Sequence, residues 1–363
     1  MPIEKPPARL TIRSGQGDYD VISLASAGDV AALIASVADA FVVADERVLD
    51  LHAAAFDGVE KRRVYVLPAT ETEKTLAGVE RLCIFLQRND ASKRSTLVVV
   101  GGGIIQDIGM FAAHIYYRGI PAYYVPTTLL SMADSCIGAK CGLNLGEFKN
   151  QIGFFQAPRS VAIWSGFLAT LAPDDVRSGF GEIVKLAIIA GRPAFDAVAK
   201  RLTERGFNVD GADDLTFASL ETKRSVIEED EYEKGVRKTL NYGHSFGHAL
   251  EGLTHHEVPH GLAVAWGMDV ANYVAMRKGL LAEADFDCMH DLLKQRFSLR
   301  VKGSYAGDDL LAMMRRDKKA AAGRVTLVLP KTFGDLHLVD TPLDSALGGV
   351  ISDYIEKRDI FTR

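Results

Sequence analysis

The chain has 363 residues, 42 of them basic and 47 acidic, for a net charge of −5, and its 48% hydrophobic and 25% charged content is that of a globular protein. This balance excludes a disordered or collagen-like chain, and the acidic excess argues against a nucleic-acid binder. Four scattered cysteines make no disulfide framework, no apolar run approaches the ~20 residues that cross a bilayer, and the N-terminus MPIEKPPARL has no signal core, so the expected setting is the cytoplasm, away from membranes.

The first half alternates strand-like and helix-like segments. Residues 40–44 (AFVVA) and 63–67 (RVYVL) read as buried strands. Residues 72–87 have helical spacing, with Leu76, Val79, Leu82 and Leu86 near one face. Residues 96–100 (TLVVV) form an apolar run that ends in three glycines. Such alternation predicts a parallel sheet with helices on both faces. Beyond about Asp174 the pattern becomes helical, over 178–190, 213–229, 243–252, 262–278 and 308–316, with few strand signals before 324–329 (RVTLVL). Pro173, in LAPDD, can break or start a helix there. The expectation is an α/β domain over 1–172 and a mainly helical domain over 173–363.

The turn Gly101-Gly102-Gly103 follows a strand and opens a helix. Glycines let backbone N–H groups approach a phosphate, and the helix N-terminus behind them favours negative charge. Three consecutive glycines are not GxGxxG, so the turn alone serves a pyrophosphate or a plain connection equally well.

Five of nine histidines fall between positions 244 and 260. His244 and His248 are four apart and share one face if helical, and His260 opens the next helical stretch. Upstream, Glu182 and Lys185 lie three apart. A catalytic zinc takes three N or O ligands and keeps one position open, a demand met by two histidines and a glutamate. The spacing leaves open which histidines ligate and which serve a substrate. His255 and His256, in the polar turn THHEVP, read as ordinary turn residues. Lys140, Lys149, Arg118, Lys185, Lys223, Arg237, Lys318 and Lys319 sit beside Gly, Asn or acidic residues and build an anion pocket only if they converge. Cys136 and Cys141 lack a partner pair for a metal and read as small buried residues.

Taken together, the motifs resemble those of the 3-dehydroquinate synthases and the wider sugar phosphate cyclases, colinearly from about Asp45 to Gly334. They are GGGIIQD, VPTTLL, DSCIGAK, KNQIG, GFGEIVK, LNYGHSFGH and HGLAV. The resemblance implies a Rossmann-like α/β domain that binds NAD and a mainly helical domain that holds a metal, Zn2+ or Co2+. Glu182, His244 and His260 would be the metal ligands, leaving His248 for the substrate. NAD would be held by Gly101, Gly102, Gly103, Asp107, Asp45, Glu71, Lys74, Thr127, Thr128 and Lys149. A sugar phosphate would meet Asp134, Lys140, Asn150, Lys185, Lys223, Arg237, Asn241, His248 and Lys318. Arg118 would reach a neighbouring subunit's site in a homodimer.

The activity implied is 3-dehydroquinate synthesis, in which 3-deoxy-D-arabino-heptulosonate 7-phosphate loses phosphate and closes a carbocycle while NAD is regenerated. The chain departs from the family at Leu262 (usually Glu), Gln106 and Ala139 (usually Gly) and Asp174-Asp175 (usually Arg-Glu). These departures keep cyclases of the 2-deoxy-scyllo-inosose or sedoheptulose 7-phosphate type as alternatives. Asp107, Asn241 and His248 favour the dehydroquinate branch. A metal-dependent polyol dehydrogenase of the same fold is the rival from another reaction class, against which the lysines near Lys140 and Lys149 argue.

Overall fold

A computed structural model describes residues 9–146, 148–255, 257–302, 305–316, 320–321 and 323–362. The chain forms two compact units: 1–172 with 209–232, and 173–208 with 233–363.

The first unit is built on a seven-stranded sheet. Its strands are β1 Arg9–Ile12, β2 Tyr19–Ser23, β3 Ala40–Asp45, β4 Val64–Leu67, β5 Thr96–Gly101, β6 Ala122–Pro126 and β9 Ser160–Ile163, in the order β1-β2-β9-β6-β5-β3-β4. All neighbours are parallel except β1 and β2. The apolar runs of β3 and β5 are buried on both faces, which is why their sequences do not alternate. Between β3 and β5 the chain reverses its direction of travel across the sheet: β4 lies to one side and β6 to the other. Ligands of open α/β sheets bind outside the carboxyl ends of strands at such a switch. Asp45 ends β3 and Gly101 ends the adjacent β5, with Ala44 paired to Val100.

Helices α1 Ala27–Ser36, α2 Glu46–Leu51, α3 Leu76–Arg88 and α4 Gly103–Ile115 connect the strands. The expected helix over 72–87 begins at Leu76 because the Thr75 hydroxyl caps it by accepting from the Gly78 N–H. Val79, Leu82 and Leu86 are buried as the spacing implies, whereas Leu76, the first residue of the helix, is 49% exposed. A π turn, Ser131–Ser135, follows β6. A separate hairpin, β7 Lys140–Leu145 and β8 Phe148–Phe155, carries the lysine- and asparagine-rich motif. Its Gly, Lys and Asn content gave no strand signal. Cys136 and Cys141 are buried, and burial pushes the Cys136 thiol up to about 12.

The second unit is helical. Its helices are α5 Pro173–Ala190, α6 Arg192–Arg205, α8 His244–Leu253, α9 His260–Arg277, α10 Glu283–Phe297, α11 Gly307–Arg316 and α12 Ser345–Lys357, with a small sheet of β10 Ala320–Ala321, β11 Arg324–Thr332 and β12 Asp335–Pro342. Pro173 starts α5 instead of breaking it, five residues before the predicted start. Helix α9 is buried from Gly261 through Ala275, the core around which α5, α8, α10 and α12 pack. The contact between α5 and α9 is backbone against backbone. A Cβ on Gly181 would lie 2.1 Å from the Gly261 carbonyl oxygen, and one on Gly261 would lie 1.8 Å from that of Ser178. The Gly261 N–H donates to Ser178 Oγ at 2.8 Å.

Helix α7, Ala212–Glu229, corrects the sequence reading. It was expected in the helical domain, yet it groups with the first unit, where it packs on the π turn and β1. Polar contacts tie it there: Arg13 donates from Nη2 to Glu228 at 2.7 Å, and Ser165 Oγ donates to Asp213 at 3.1 Å. Helical periodicity reports the element and its buried face, but not which core that face meets.

Candidate active site

In the second unit, α5 carries Glu182 and Lys185, α8 carries His244 and His248, and α9 opens with His260. Glu182 and Lys185 are 1% and 2% exposed and form an ion pair, so the lysine compensates a carboxylate that burial alone would penalise. His260 Nε2 lies 3.4 Å, and His244 Nε2 3.8 Å, from Glu182 Oε1. The other nitrogen of each ring is taken. His244 Nδ1 donates to the Tyr242 carbonyl at 3.1 Å, and His260 Nδ1 donates to Glu251 at 3.2 Å. Both acceptors lack a proton to give, so each Nδ1 carries one and each Nε2 faces Glu182, where it becomes a ligand atom once it holds no proton.

Gly243, at φ +79°, makes the turn that sets His244 at the start of α8. His248 follows one turn later, and its ring centroid is 5.4 Å from that of His244 and 5.7 Å from that of His260. The three histidines each offer a ligand atom within 4.8 Å of the others. Burial opposes a charge on His260, but Glu251 and Glu182 outweigh it and push the imidazole up to about 10.

A tetrahedral dication with bonds of about 2.0–2.2 Å separates its ligand atoms by roughly 3–3.5 Å. The spacing of Glu182 Oε1 from His244 and His260 is close to this, and the occupied Nδ1 atoms supply the outer hydrogen bonds such a site uses. The donor set fits a divalent metal of the zinc class. Nearby, Arg237 is 1% exposed, and Asn241 Nδ2 donates to Glu233 at 2.7 Å. Leu262, at the position where a glutamate was expected, is fully buried. Glu251 instead supplies the carboxylate at His260. Lys318 lies outside the described residues.

In the first unit, the first two glycines of the turn leave little room for side chains. A Cβ on Gly101 would meet the Ile105 side chain at 2.4 Å, and one on Gly102 would meet Thr128 at 3.0 Å. Thr127 is buried, and Thr128 Oγ1 donates to Ser131 at 2.9 Å. Gly103 starts α4, and Asp107 follows one turn on. Lys74 Nζ lies 2.5 Å from Asp107 and donates to Asn150 at 2.8 Å. Burial holds the Asp107 carboxyl above its usual range, against the pull of Lys74. Lys149 lies 3.4 Å from Glu71; burial raises that carboxyl, but Lys149, Asn144 and Lys74 leave it below its ordinary value. Asp45 accepts from the Arg47 N–H at 3.0 Å and caps α2, and burial raises it.

The π turn presents Asp134, which pairs with Lys223 of α7 within the same unit. Gln106, buried where a glycine was expected, accepts from Ser135 Oγ at 2.9 Å. Ala139, the other departure from glycine, sits at φ +60°. Lys140 opens β7 and is exposed. Arg118 is exposed, at φ +67° beside Tyr117 at φ +50°, with no hydrogen bond or ion pair among the described residues. Each unit thus gathers its own share of the candidate residues. The sequence reading missed Glu233, Glu251 and Asn144, whose only signal is the polar partner each one meets after folding.

The chain is similar to known proteins over most of its length. Residues 64–178 match the 3-dehydroquinate synthase N-terminal family and residues 179–320 the 3-dehydroquinate synthase C-terminal family. A 3-dehydroquinate synthase of Streptococcus pyogenes serotype M3 is 33% identical over 320 residues, covering 84% of this chain and 89% of that protein. The 2-epi-5-epi-valiolone synthase of Streptomyces hygroscopicus subsp. jinggangensis 5008, solved with NAD+ and Zn2+, superposes with TM-score 0.82 at 25% identity, over 95% of this chain and 99% of that one. A 2-deoxy-scyllo-inosose synthase solved with carbaglucose-6-phosphate, NAD+ and Co2+ superposes with TM-score 0.80 at 24% identity, over 95% and 99%, which speaks for the fold. With both halves matched in order, and with an α/β unit and a helical unit holding the expected residue types, the chain belongs to the 3-dehydroquinate synthase family.

Proposed function

We propose that this protein is an NAD- and metal-dependent sugar phosphate cyclase, and that its substrate is 3-deoxy-D-arabino-heptulosonate 7-phosphate, released as 3-dehydroquinate and phosphate. The observation that carries the reading is the convergence of His244 and His260 on the Glu182 carboxylate, with His248 beside them and Asn241 retained in the same motif. Glu182, His244 and His260 would hold the metal, and the glycine turn with Asp45, Glu71, Lys74, Asp107, Thr127, Thr128 and Lys149 would hold NAD. When bound, the metal supplies Lewis acidity to a vicinal diol, and NAD supplies a hydride acceptor that is restored within one turnover.

The chain's own residues do the rest. Lys185 pairs with Glu182 in a buried setting and offsets its charge, which suits the carboxylate to a ligand's role. His248, whose ligand atom lies within 4.8 Å of those of His244 and His260, takes a substrate hydroxyl and can move its proton. Arg237, Lys223, Lys140 and Lys318 suit a substrate with both a carboxylate and a phosphate, and they offset the charge of the departing phosphate. Asp134 holds Lys223, and Asn150 and Asn241 offer amide groups to hydroxyls. We place Arg118 at a second copy's site in a homodimer. The left-handed backbone at Tyr117 and Arg118 and the exposed Ile115 and Tyr117 support that role, since strain concentrates where function needs it. A cytoplasmic setting goes with this reading.

A second reading, a cyclase of another sugar phosphate, is favoured by the departures Leu262, Gln106, Ala139 and Asp174-Asp175. One experiment separates the two. Metal-loaded protein with catalytic NAD+ is given 3-deoxy-D-arabino-heptulosonate 7-phosphate while phosphate and NADH absorbance are followed together. Phosphate release without net NADH, with 3-dehydroquinate as product, is the expected result. Release only from neutral sugar phosphates selects the second reading. Steady NADH accumulation from a simple polyol makes the protein a dehydrogenase and overturns both.

A further inference from the structure

We propose that Asn144 positions the cofactor cradle of the first unit, a role that rests on the NAD reading above. Asn144 lies on β7 and is 8% exposed. Its Nδ2 donates to Glu71 Oε2 at 2.8 Å and to the Glu71 carbonyl at 3.2 Å. Its Oδ1 accepts from the Asn150 N–H at 3.0 Å, and its own N–H donates to the Lys74 carbonyl at 2.9 Å. One side chain therefore ties the 71–74 loop to the start of β8.

The tie closes a circuit. Asn150 Oδ1 accepts from Lys74 Nζ, Lys74 pairs with Asp107 on α4, and Asp107 Oδ1 accepts from the Gly142 N–H at 3.0 Å, back on β7. Asn150 is held at φ +53°, a conformation that its bond to Asn144 helps to fix. Glu71, Lys74, Asp107, Lys149 and Asn150 all stand in or next to this circuit. Only an amide satisfies both ends of position 144, because it must donate to a carboxylate and accept from an N–H with the same group. A carboxylate there keeps the acceptor and faces Glu71 with like charge; an alkyl group loses both bonds.

The test is NAD+ binding by titration calorimetry on the full chain. Asn144→Asp should weaken NAD+ about tenfold or more near pH 8 and regain part of that near pH 5, where the carboxyl pair shares a proton. Asn144→Ala should lose a similar factor at both pH values. The exchanged pair Glu71→Gln with Asn144→Asp restores one amide and one carboxylate and should bind more tightly than Asn144→Asp alone. If Asn144→Asp fails to fold, recovery of a cooperative thermal melt in the exchanged pair carries the same information. Wild-type binding matched by both single variants overturns the proposal and leaves the cofactor reading standing. Equal loss in both, without pH dependence and without rescue by exchange, assigns Asn144 a merely structural role and also overturns it. Failure of the wild-type chain to bind NAD+ removes the reading and the proposal with it.

Discussion

The two units prepare their candidate sites in different ways. In the second unit the acceptors at Tyr242 and Glu251 point both imidazoles inward before any ligand arrives, and Glu182 already carries its countercharge in Lys185. In the first unit the glycine turn offers backbone, while the side chains around it are engaged with one another: Lys74 with Asp107, Lys149 with Glu71, Lys223 with Asp134. A site of the first kind concentrates its function in single side chains. A site of the second kind spreads it over a network, where one loss is shared. Preorganisation is common to both, but it resides in rotamers in one and in mutual pairing in the other.

The sharpest way to break the comparison is His244→Ala, which should abolish both metal content, measured by elemental analysis, and activity. Retained metal and activity would reassign the ligand to His248. Next in size, Glu251→Gln should lower metal affinity by roughly 10- to 100-fold in a chelator competition, while the protein still folds, because Gln keeps the size of Glu251 without its charge. Titration sharpens the same point. His260 is raised to about 10 without metal, so below that pH a metal must displace its proton. Affinity should climb with pH by up to tenfold per unit and level off once the imidazole is neutral, with about one proton released from this residue per ion near neutrality, read from calorimetry in buffers of different ionisation heat. The smallest effect is expected in the first unit. Ala139→Gly relieves a left-handed alanine and should stabilise the fold by about 1 kcal/mol, seen as a raised melting temperature.

What was legible in the sequence follows the same divide. The runs AFVVA and TLVVV and the periodic stretches of α5 and α9 were visible because burial on both faces, or on one stripe, writes directly into residue order. The hairpin β7–β8 was not, because its residues answer to their polar partners and not to a core. The histidine cluster was visible as a cluster, yet spacing left the ligand pair open. The Tyr242 carbonyl, two residues before His244, carries no residue-type signal, and Glu251 meets His260 only once α8 and α9 pack together. Helix α7 was seen as a helix and placed in the wrong unit, since its amphipathic face suits either core.

The glycine contact between α5 and α9 has one more consequence. Gly181 directly precedes Glu182, and Gly261 directly follows His260, so the closest approach of two backbones acts as a ruler between a carboxylate and an imidazole. The bite of the pair is then set by van der Waals contact, not by the reach of flexible side chains. A methyl group added to either glycine would wedge the helices apart and carry both donor atoms with them. Short-bonded ions of the zinc class would lose more from that widening than larger, longer-bonded ones. Ion size selection would then be a property of helix packing, inherited through two residues that bear no donor atoms in their side chains.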